Sequence, residues 1–213
     1  MLGHIVCTSR RMPAVLLGIL LASLACRPGG TRSFDPQGLS GPLILPPLPK
    51  PDLILTATDG RRFDLKRDTE GYVTLLFFGY THCPDLCPVQ LANIAGAMKR
   101  LPPDVTDRLK VVFVTVDPKR DTPWVVRGWL DHFDPRFIGL TGDSASIASA
   151  FTQLRLGHPA TPVTAPSDSS VYTVNHTVVV LAFTTDNLAH VAYPSGIRVD
   201  DWAKDLALLA KGG

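Results

Sequence analysis

The chain of 213 residues predicts an α/β fold: a central mixed sheet with helices on both faces and an N-terminal hairpin extension. Three continuous apolar runs are typical of strands that are buried on both faces. Segments with apolar residues at helical spacing separate them. The hydrophobic content of 45% is enough for one buried core. The three runs are residues 72–79, 111–116 and 177–183.

Local signals place the remaining elements in order. Asp59-Gly60 is a hairpin turn that joins two short alternating segments. Thr122-Pro123 predicts a helix start, because proline in the first turn removes no helical hydrogen bond. The further predicted strands are 53–57, 62–65 and 188–192, and the helices are 88–101, 124–133, 145–156 (with Asp143-Ser144 as its N-cap) and 199–210.

The N-terminus has the pattern of a secretory signal. A pair of arginines precedes the apolar run 14–25, which is shorter than the roughly 20 residues that span a bilayer. The end of the run is similar to a bacterial lipobox, with Ser23 where leucine is usual, so Cys26 is the predicted lipidation site. We predict a signal peptide over 1–25 and export to the periplasm or outer face of the cell membrane, with an N-terminal membrane anchor. Plain cleavage and an uncleaved anchor are the alternatives.

Residues 26–51 are rich in proline and predict a semi-rigid spacer before a domain over 52–213. Residues 157–173 contain three more prolines and predict a long loop that is mobile or functional. The formal net charge is +2, and the basic residues are scattered. That distribution excludes a nucleic-acid-binding surface, which needs a concentrated basic face.

Cys83 and Cys87 lie where a predicted buried strand ends and a helix begins. A helix N-terminus favours thiolate over thiol. Residues four apart share one helical face, about 6 Å apart along the axis, so both sulfurs can reach one small ligand. The same spacing permits a disulfide. Three interpretations therefore stay open: a metal site, a redox pair and a structural bridge.

Three motifs resemble the Sco/SenC family of thioredoxin-like copper proteins. They are FGYTHCPDLCP at 78–88, VDPKRDTP at 116–123 and VNHT at 174–177, in the family's order, and the resemblance spans about 51–196. It implies a thioredoxin-like fold, with copper bound by Cys83, Cys87 and His176. It also implies a role in assembling the dinuclear copper centre of cytochrome c oxidase.

His176 precedes the third apolar run, where thioredoxins usually place a proline that faces their cysteines. Two thiolates and an imidazole suit Cu(I), with Cu(II) as an alternative. Zinc would require a fourth ligand. Asn175 departs from the family, in which aspartate is common before this histidine; the change removes an acceptor for the ring N–H.

Other polar residues near the motifs are weaker candidates. Asp117, Asp121 and His82 are predicted neighbours of the metal ligands or docking residues, although both aspartates also suit turns and helix starts. The resemblance links Asp117 to docking or redox behaviour. The other histidines of the folded part, His132, His158 and His190, are predicted to be solvent-facing or ordinary polar residues.

Two functions follow. The first is a copper-binding assembly factor that delivers copper to, or prepares, the copper-bearing subunit of cytochrome c oxidase or another cuproprotein. The second is a thiol–disulfide oxidoreductase that reduces target cysteines outside the membrane through Cys83 and Cys87, and is itself reduced by a thioredoxin-like partner. A peroxiredoxin is excluded, since Cys83 is preceded by Leu76 and Tyr80 where that class needs proline and threonine.

Overall fold

A computed structural model describes residues 38–159, 163–165 and 168–212. The predicted signal peptide and Cys26 lie outside these ranges. The described strands are β1 Leu43–Pro49, β2 Ile54–Ala57, β3 Arg62–Asp64, β4 Val73–Gly79, β5 Leu109–Thr115, β6 Ile138–Thr141, β7 Val163–Ala165, β8 Asp168–Thr173, β9 Val179–Phe183 and β10 Leu188–Pro194. The helices are α1 Leu65–Asp68, α2 Leu86–Met98, α3 Pro103–Thr106, α4 Pro123–Asp131, α5 Ser144–Gln153 and α6 Val199–Gly212.

Eight strands form one mixed sheet in the order β1-β10-β9-β4-β5-β6-β2-β3. The central strand β4 pairs parallel with β5 and antiparallel with β9. All seven residues of β4 are buried, as its continuous apolar run predicts. Because β4 and β9 run in opposite directions, the end of β4 and the beginning of β9 meet at the same edge of the sheet.

The two faces of the sheet are covered by different helices. Along β4, Phe77 faces a core formed with α2, α3, α4 and α6, where Trp202 is fully buried. Its neighbour Phe78 faces a second core formed with α5 and the β2–β3 hairpin, where its ring lies 4.6 Å from that of Phe151. The predicted mixed sheet with helices on both faces and an N-terminal hairpin extension is confirmed.

The helix starts follow the predicted caps. Thr122 accepts a hydrogen bond from the backbone N–H of Val125 at 3.4 Å, with proline in the first turn of α4. Asp143 accepts one from the N–H of Ser146 at 2.8 Å at the start of α5. These caps satisfy N–H groups that have no partner inside the helix.

Two predicted irregular stretches contain strands. Within the predicted spacer, β1 pairs with β10 at the outer edge of the sheet, so the spacer prediction is wrong over Leu43–Pro49. Within the predicted loop 157–173, β7 and β8 form a separate antiparallel pair. In the described ranges, no helix combines the length and apolar character that crossing a membrane requires.

Candidate metal centre

The two cysteines lie at the start of α2. Cys83 is in the preceding loop and half-buried, whereas Cys87 is in the first turn and fully buried. Both are free thiols. The backbone N–H of Cys87 donates to Cys83 Sγ at 3.5 Å, so the first turn of the helix points a donor at that sulfur.

The pKa values of the two thiols differ because a hydrogen bond joins their side chains. The Cys87 thiol donates to Cys83 and lowers the pKa of Cys83 to about 5; burial opposes this shift, and the N–H groups of Cys87, Asp85 and Leu86 add to it. The same hydrogen bond, together with burial, raises the pKa of Cys87. At neutral pH the pair therefore consists of an accessible thiolate and a buried thiol.

Gly79, the last residue of β4, makes room for this pair. A Cβ atom at Gly79 would lie 3.1 Å from Cys87 Sγ and 2.7 Å from Cε2 of Phe113. The buried sulfur therefore packs directly on the strand end. A side chain at residue 79 would push Cys87 or the Phe113 ring away.

Asp121 holds the loop that leads to the cysteines. Its buried carboxylate accepts hydrogen bonds from the Thr81 N–H at 2.9 Å and from the hydroxyls of Thr81 and Thr115, each at 2.6 Å. Because Thr115 ends β5 and Thr81 lies just beyond β4, one carboxylate ties the cysteine loop to the neighbouring strand.

His176 reaches the same place from the other side. Its Nε2 lies 3.9 Å from Cys87 Sγ, and its Nδ1 lies 3.2 Å from the carbonyl of Thr177. A carbonyl only accepts, so Nδ1 carries the proton and Nε2 presents a lone pair to the sulfur. The Thr177 carbonyl therefore supplies the acceptor for the ring N–H. Burial lowers the pKa of His176, which keeps the imidazole neutral.

Tyr80 bridges the two sides of the site. Its ring meets the His176 ring edge-on, with centroids 5.8 Å apart, and its hydroxyl is hydrogen-bonded to the backbone of Val174. Burial raises the pKa of this phenol, and the charge of Cys83 raises it further. Tyr80 therefore connects the cysteine loop to the histidine segment without itself carrying charge.

The spacing of the donor atoms can be compared with that around one ion. With bonds of about 2.0 Å to nitrogen and 2.3 Å to sulfur, as for zinc, two ligands of one ion lie at most about 4.3 Å apart. The 3.9 Å between Cys87 Sγ and His176 Nε2 is inside that limit. Within the part of the chain that the structure describes, no three or more His, Cys, Asp and Glu side chains already have the spacing of a complete metal site. Binding of an ion by these residues would therefore require the Cys87 thiol to lose its proton.

The weaker candidates lie around this centre. His82 is more than half exposed, and its Nδ1 lies 3.0 Å from Thr81 Oγ1 and 3.7 Å from the carboxylate of Asp121. Asp117 is buried and accepts a hydrogen bond from the Tyr172 hydroxyl at 2.7 Å and another from Arg120. His132 and His158 are exposed, and His190 pairs with Asp186 at 2.8 Å.

Three residues of this region were not predicted from sequence: Tyr80, Arg120 and Tyr172. Tyr80 and Arg120 lie inside the motifs 78–88 and 116–123, so the motifs themselves could have identified them as candidate site residues. Tyr172 lies in the predicted loop, where no sequence motif indicated a functional role. The contact of Tyr172 with Asp117 depends on the β7–β8 hairpin, which brings the two residues together.

Comparison with known proteins places the chain. The family model SCO1/SenC matches residues 50–211, more than half of the sequence. The chain belongs to the SCO1/SenC family. The match includes all three motifs that carried the resemblance.

Curated relatives of this SCO1/SenC chain include bacterial and mitochondrial proteins. A "SCO2-like protein" of Rickettsia felis is 33% identical over 145 residues, 68% of this chain and 67% of that protein. "Protein SCO2 homolog, mitochondrial" of Mus musculus is 34% identical over 125 residues, 58% of this chain and 48% of that protein. The match therefore spans about half the length of the mouse relative.

Solved structures of the family share the fold. The structure of Bradyrhizobium japonicum ScoI with copper bound is 32% identical, with a TM-score of 0.65 over 76% of this chain and 99% of that one. Arabidopsis thaliana ScoI with copper bound is 28% identical, with a TM-score of 0.62 over 78% and 98%. Both similarities agree with the predicted thioredoxin-like architecture.

Proposed function

We propose that this chain binds one copper ion through Cys83, Cys87 and His176, and serves the assembly of the dinuclear copper centre of cytochrome c oxidase. The observation that carries the proposal is the approach of His176 Nε2 to 3.9 Å from Cys87 Sγ, beside the Cys83 thiolate. The copper-bound relatives of similar fold support it.

Each donor has a protonation state that suits copper binding. Cys83 is already a thiolate, and His176 is neutral with Nε2 free of a proton. Only Cys87 must lose a proton, which an incoming cation favours because it replaces the hydrogen bond between the sulfurs. Two thiolates and an imidazole are soft ligands of low number, so Cu(I) is the favoured ion.

A copper titration tests the ligand set. Anaerobic titration with Cu(I) against a chromophoric competitor should give one ion per chain. Cys83→Ser and Cys87→Ser should abolish tight binding, and His176→Ala should weaken it by about 10- to 100-fold. His132→Ala, an exposed histidine outside the site, is the matched control. Stoichiometric binding of unchanged affinity in all three site variants would reject the proposal.

Delivery to the oxidase needs its own test. The copper-loaded protein should transfer its ion to the metal-free soluble domain of the copper-bearing oxidase subunit, and a chain with His176→Ala should transfer less. Copper that stays on this chain in the presence of excess acceptor would favour another cuproprotein as the recipient.

We propose further that the protein acts outside the cell membrane and is anchored through lipidated Cys26, as the N-terminal sequence predicts. Expressed from its full sequence, the protein should fractionate with membranes, and Cys26→Ser should release it. Membrane association that survives this substitution would favour an uncleaved anchor.

The unequal thiols favour a second function, thiol–disulfide exchange. The Cys83 thiolate would attack a target disulfide, form a mixed disulfide and release one target thiolate; Cys87, after losing its proton, would attack Cys83 Sγ and release the second. The target gains two electrons, and the chain ends as a Cys83–Cys87 disulfide. His176→Ala should retain this activity and lose copper affinity, whereas loss of both would show that the imidazole is needed for both functions.

A further inference from the structure

Arg120 lies at the centre of a cluster beside the metal centre. Its Nη1 donates to the carbonyl of Tyr172 at 3.0 Å, and its Nε donates to the carboxylate of Asp117. Its guanidinium carbon lies 3.6 Å from the centroid of the Tyr172 ring. The Tyr172 hydroxyl closes the cluster with a 2.7 Å hydrogen bond to Asp117. These three residues are called the Arg120 clasp.

The Arg120 clasp holds the chain just before His176. Tyr172 is next to last in β8, and β9 begins only at Val179, so residues 174–178 lie between two strands and belong to neither. A segment outside a hydrogen-bonded ladder takes its position from its ends and its side contacts. Its later end is fixed in the central sheet by β9, and its earlier end is fixed by Arg120.

The composition of the clasp suggests that stability is not its main purpose. Asp117 and Arg120 are only 4% and 18% exposed, and a buried ion pair is often no more stabilising than apolar side chains of the same volume. In addition, Arg120 Nη2 is buried and has no hydrogen-bond partner among the described residues. Stability alone is therefore a weak reason for the placement of Arg120 beside Asp117.

We infer that Arg120 is a positioning residue, which with Asp117 and Tyr172 holds the His176 segment against the cysteine loop. Its guanidinium also lies 5.9 Å from the ring centroid of Tyr80, the residue whose ring packs on His176. The clasp therefore approaches the imidazole both along the chain and through Tyr80. This inference rests on the proposed function for its effect on copper, but the geometry it assigns applies to the metal-free protein.

A double-mutant cycle tests the inference. Arg120→Ala and Tyr172→Phe should weaken Cu(I) binding by about 10- to 100-fold and about tenfold, the range found when groups that orient a ligand are removed. In the His176→Ala background, either change should have no further effect, because the imidazole that the clasp positions is gone. Equal losses in both backgrounds would show a general structural effect and overturn the inference.

Matched controls separate positioning from folding. Arg127 donates to Asp131 and to the carbonyl of Phe137, so Arg127→Ala removes a comparable arginine in α4. It should leave copper affinity unchanged. Arg120→Lys should restore little, since lysine cannot pair with Asp117, donate to the carbonyl of Tyr172 and stack on the Tyr172 ring at once.

A metal-free measurement keeps the two proposals distinguishable. In NMR spectra of the apo protein, contacts between the rings of Tyr80 and His176 should be seen in the wild type and lost in Arg120→Ala. A wild type that shows them but binds no Cu(I) contradicts the proposed function alone. Contacts that persist in Arg120→Ala, or affinity that does not change, overturn the clasp.

Discussion

The cysteine side and the histidine side of the candidate metal centre are held in different ways. On the cysteine side, Cys87 is buried in the first turn of α2, and the preceding loop is tied to β5 by the carboxylate of Asp121. On the histidine side, His176 lies between strands and is held by Tyr80 and the Arg120 clasp. The cysteine side is part of the hydrophobic core, whereas the histidine side is held against the core by side-chain contacts.

The difference separates stability from ligand affinity. Substitutions on the cysteine side disturb groups packed inside the sheet and helix, so they should change the free energy of unfolding. Substitution of His176, or loss of the Tyr172 hydroxyl, acts on residues 174–178, which lie outside the hydrogen-bonded strands, and should therefore change copper affinity with little cost in stability.

Asp121→Ala should cost about 3 kcal/mol of stability, because it leaves the Thr81 N–H and the hydroxyl of buried Thr115 without their acceptor. Urea unfolding followed by circular dichroism measures the change in midpoint. Tyr172→Phe, on the histidine side, should cost less than about 1 kcal/mol. An unchanged midpoint in Asp121→Ala would break the comparison.

Gly79→Ala should destabilise the protein by about 2 kcal/mol, since the new methyl would lie 2.7 Å from the Phe113 ring. Its counterpart is Gly157, beside the histidine segment, where an added Cβ would lie 3.6 Å from Thr177 Oγ1, an ordinary contact. Gly157→Ala should therefore cost little. Thermal unfolding of the two variants measures the contrast, and equal losses of stability would contradict it.

The Cys83 thiolate should form as the pH rises through about 5, since the pKa is lowered to that value. Thiolate absorbance or the rate of alkylation at Cys83 follows this titration in metal-free protein. Cys87→Ala removes the donor and should raise the midpoint by at least about one pH unit, which corresponds to about 1.4 kcal/mol. A comparable shift in His176→Ala would mean that the cysteine side depends on the histidine side.

Tyr80→Phe should weaken Cu(I) binding about threefold, or about 0.7 kcal/mol, because it removes the hydroxyl bonded to Val174 and keeps the ring against His176. Competition titration measures the affinity, and Tyr72→Phe, a tyrosine outside the site, is the control. A loss as large as that of His176→Ala would show that Tyr80 does more than steady the segment.

The cysteine side of the site could be predicted from sequence more fully than the histidine side. The cysteine side lies within a few residues of β4 and α2, so strand burial, helix start and thiol spacing were all visible locally. The histidine side could be identified only through the motif 174–177, because its contacts join distant parts of the chain. The Arg120 clasp requires the hairpin β7–β8, whose serine- and proline-containing sequence was interpreted as a loop.

Besides the β7–β8 hairpin, the sequence interpretation missed the strands β1 and β6, each for a simple physical reason. Prolines in 43–49 suggested a spacer, but β1 is an edge strand, where the missing N–H of proline is tolerated. The strand β6 has only four residues, too few for a periodic signal to emerge from its surroundings. Both elements lie away from the metal centre, so the prediction of the site did not depend on them.

The antiparallel meeting of β4 and β9 also has a consequence for the order of events in folding. His176 and Cys87 are 89 positions apart in sequence, and such distant partners meet only after a large loop has closed. A chain that is still folding offers the two thiols without the imidazole of His176. Assembly of the last strands therefore brings His176 to the two cysteines, and under the proposed function the ion would be bound by all three residues only after that step.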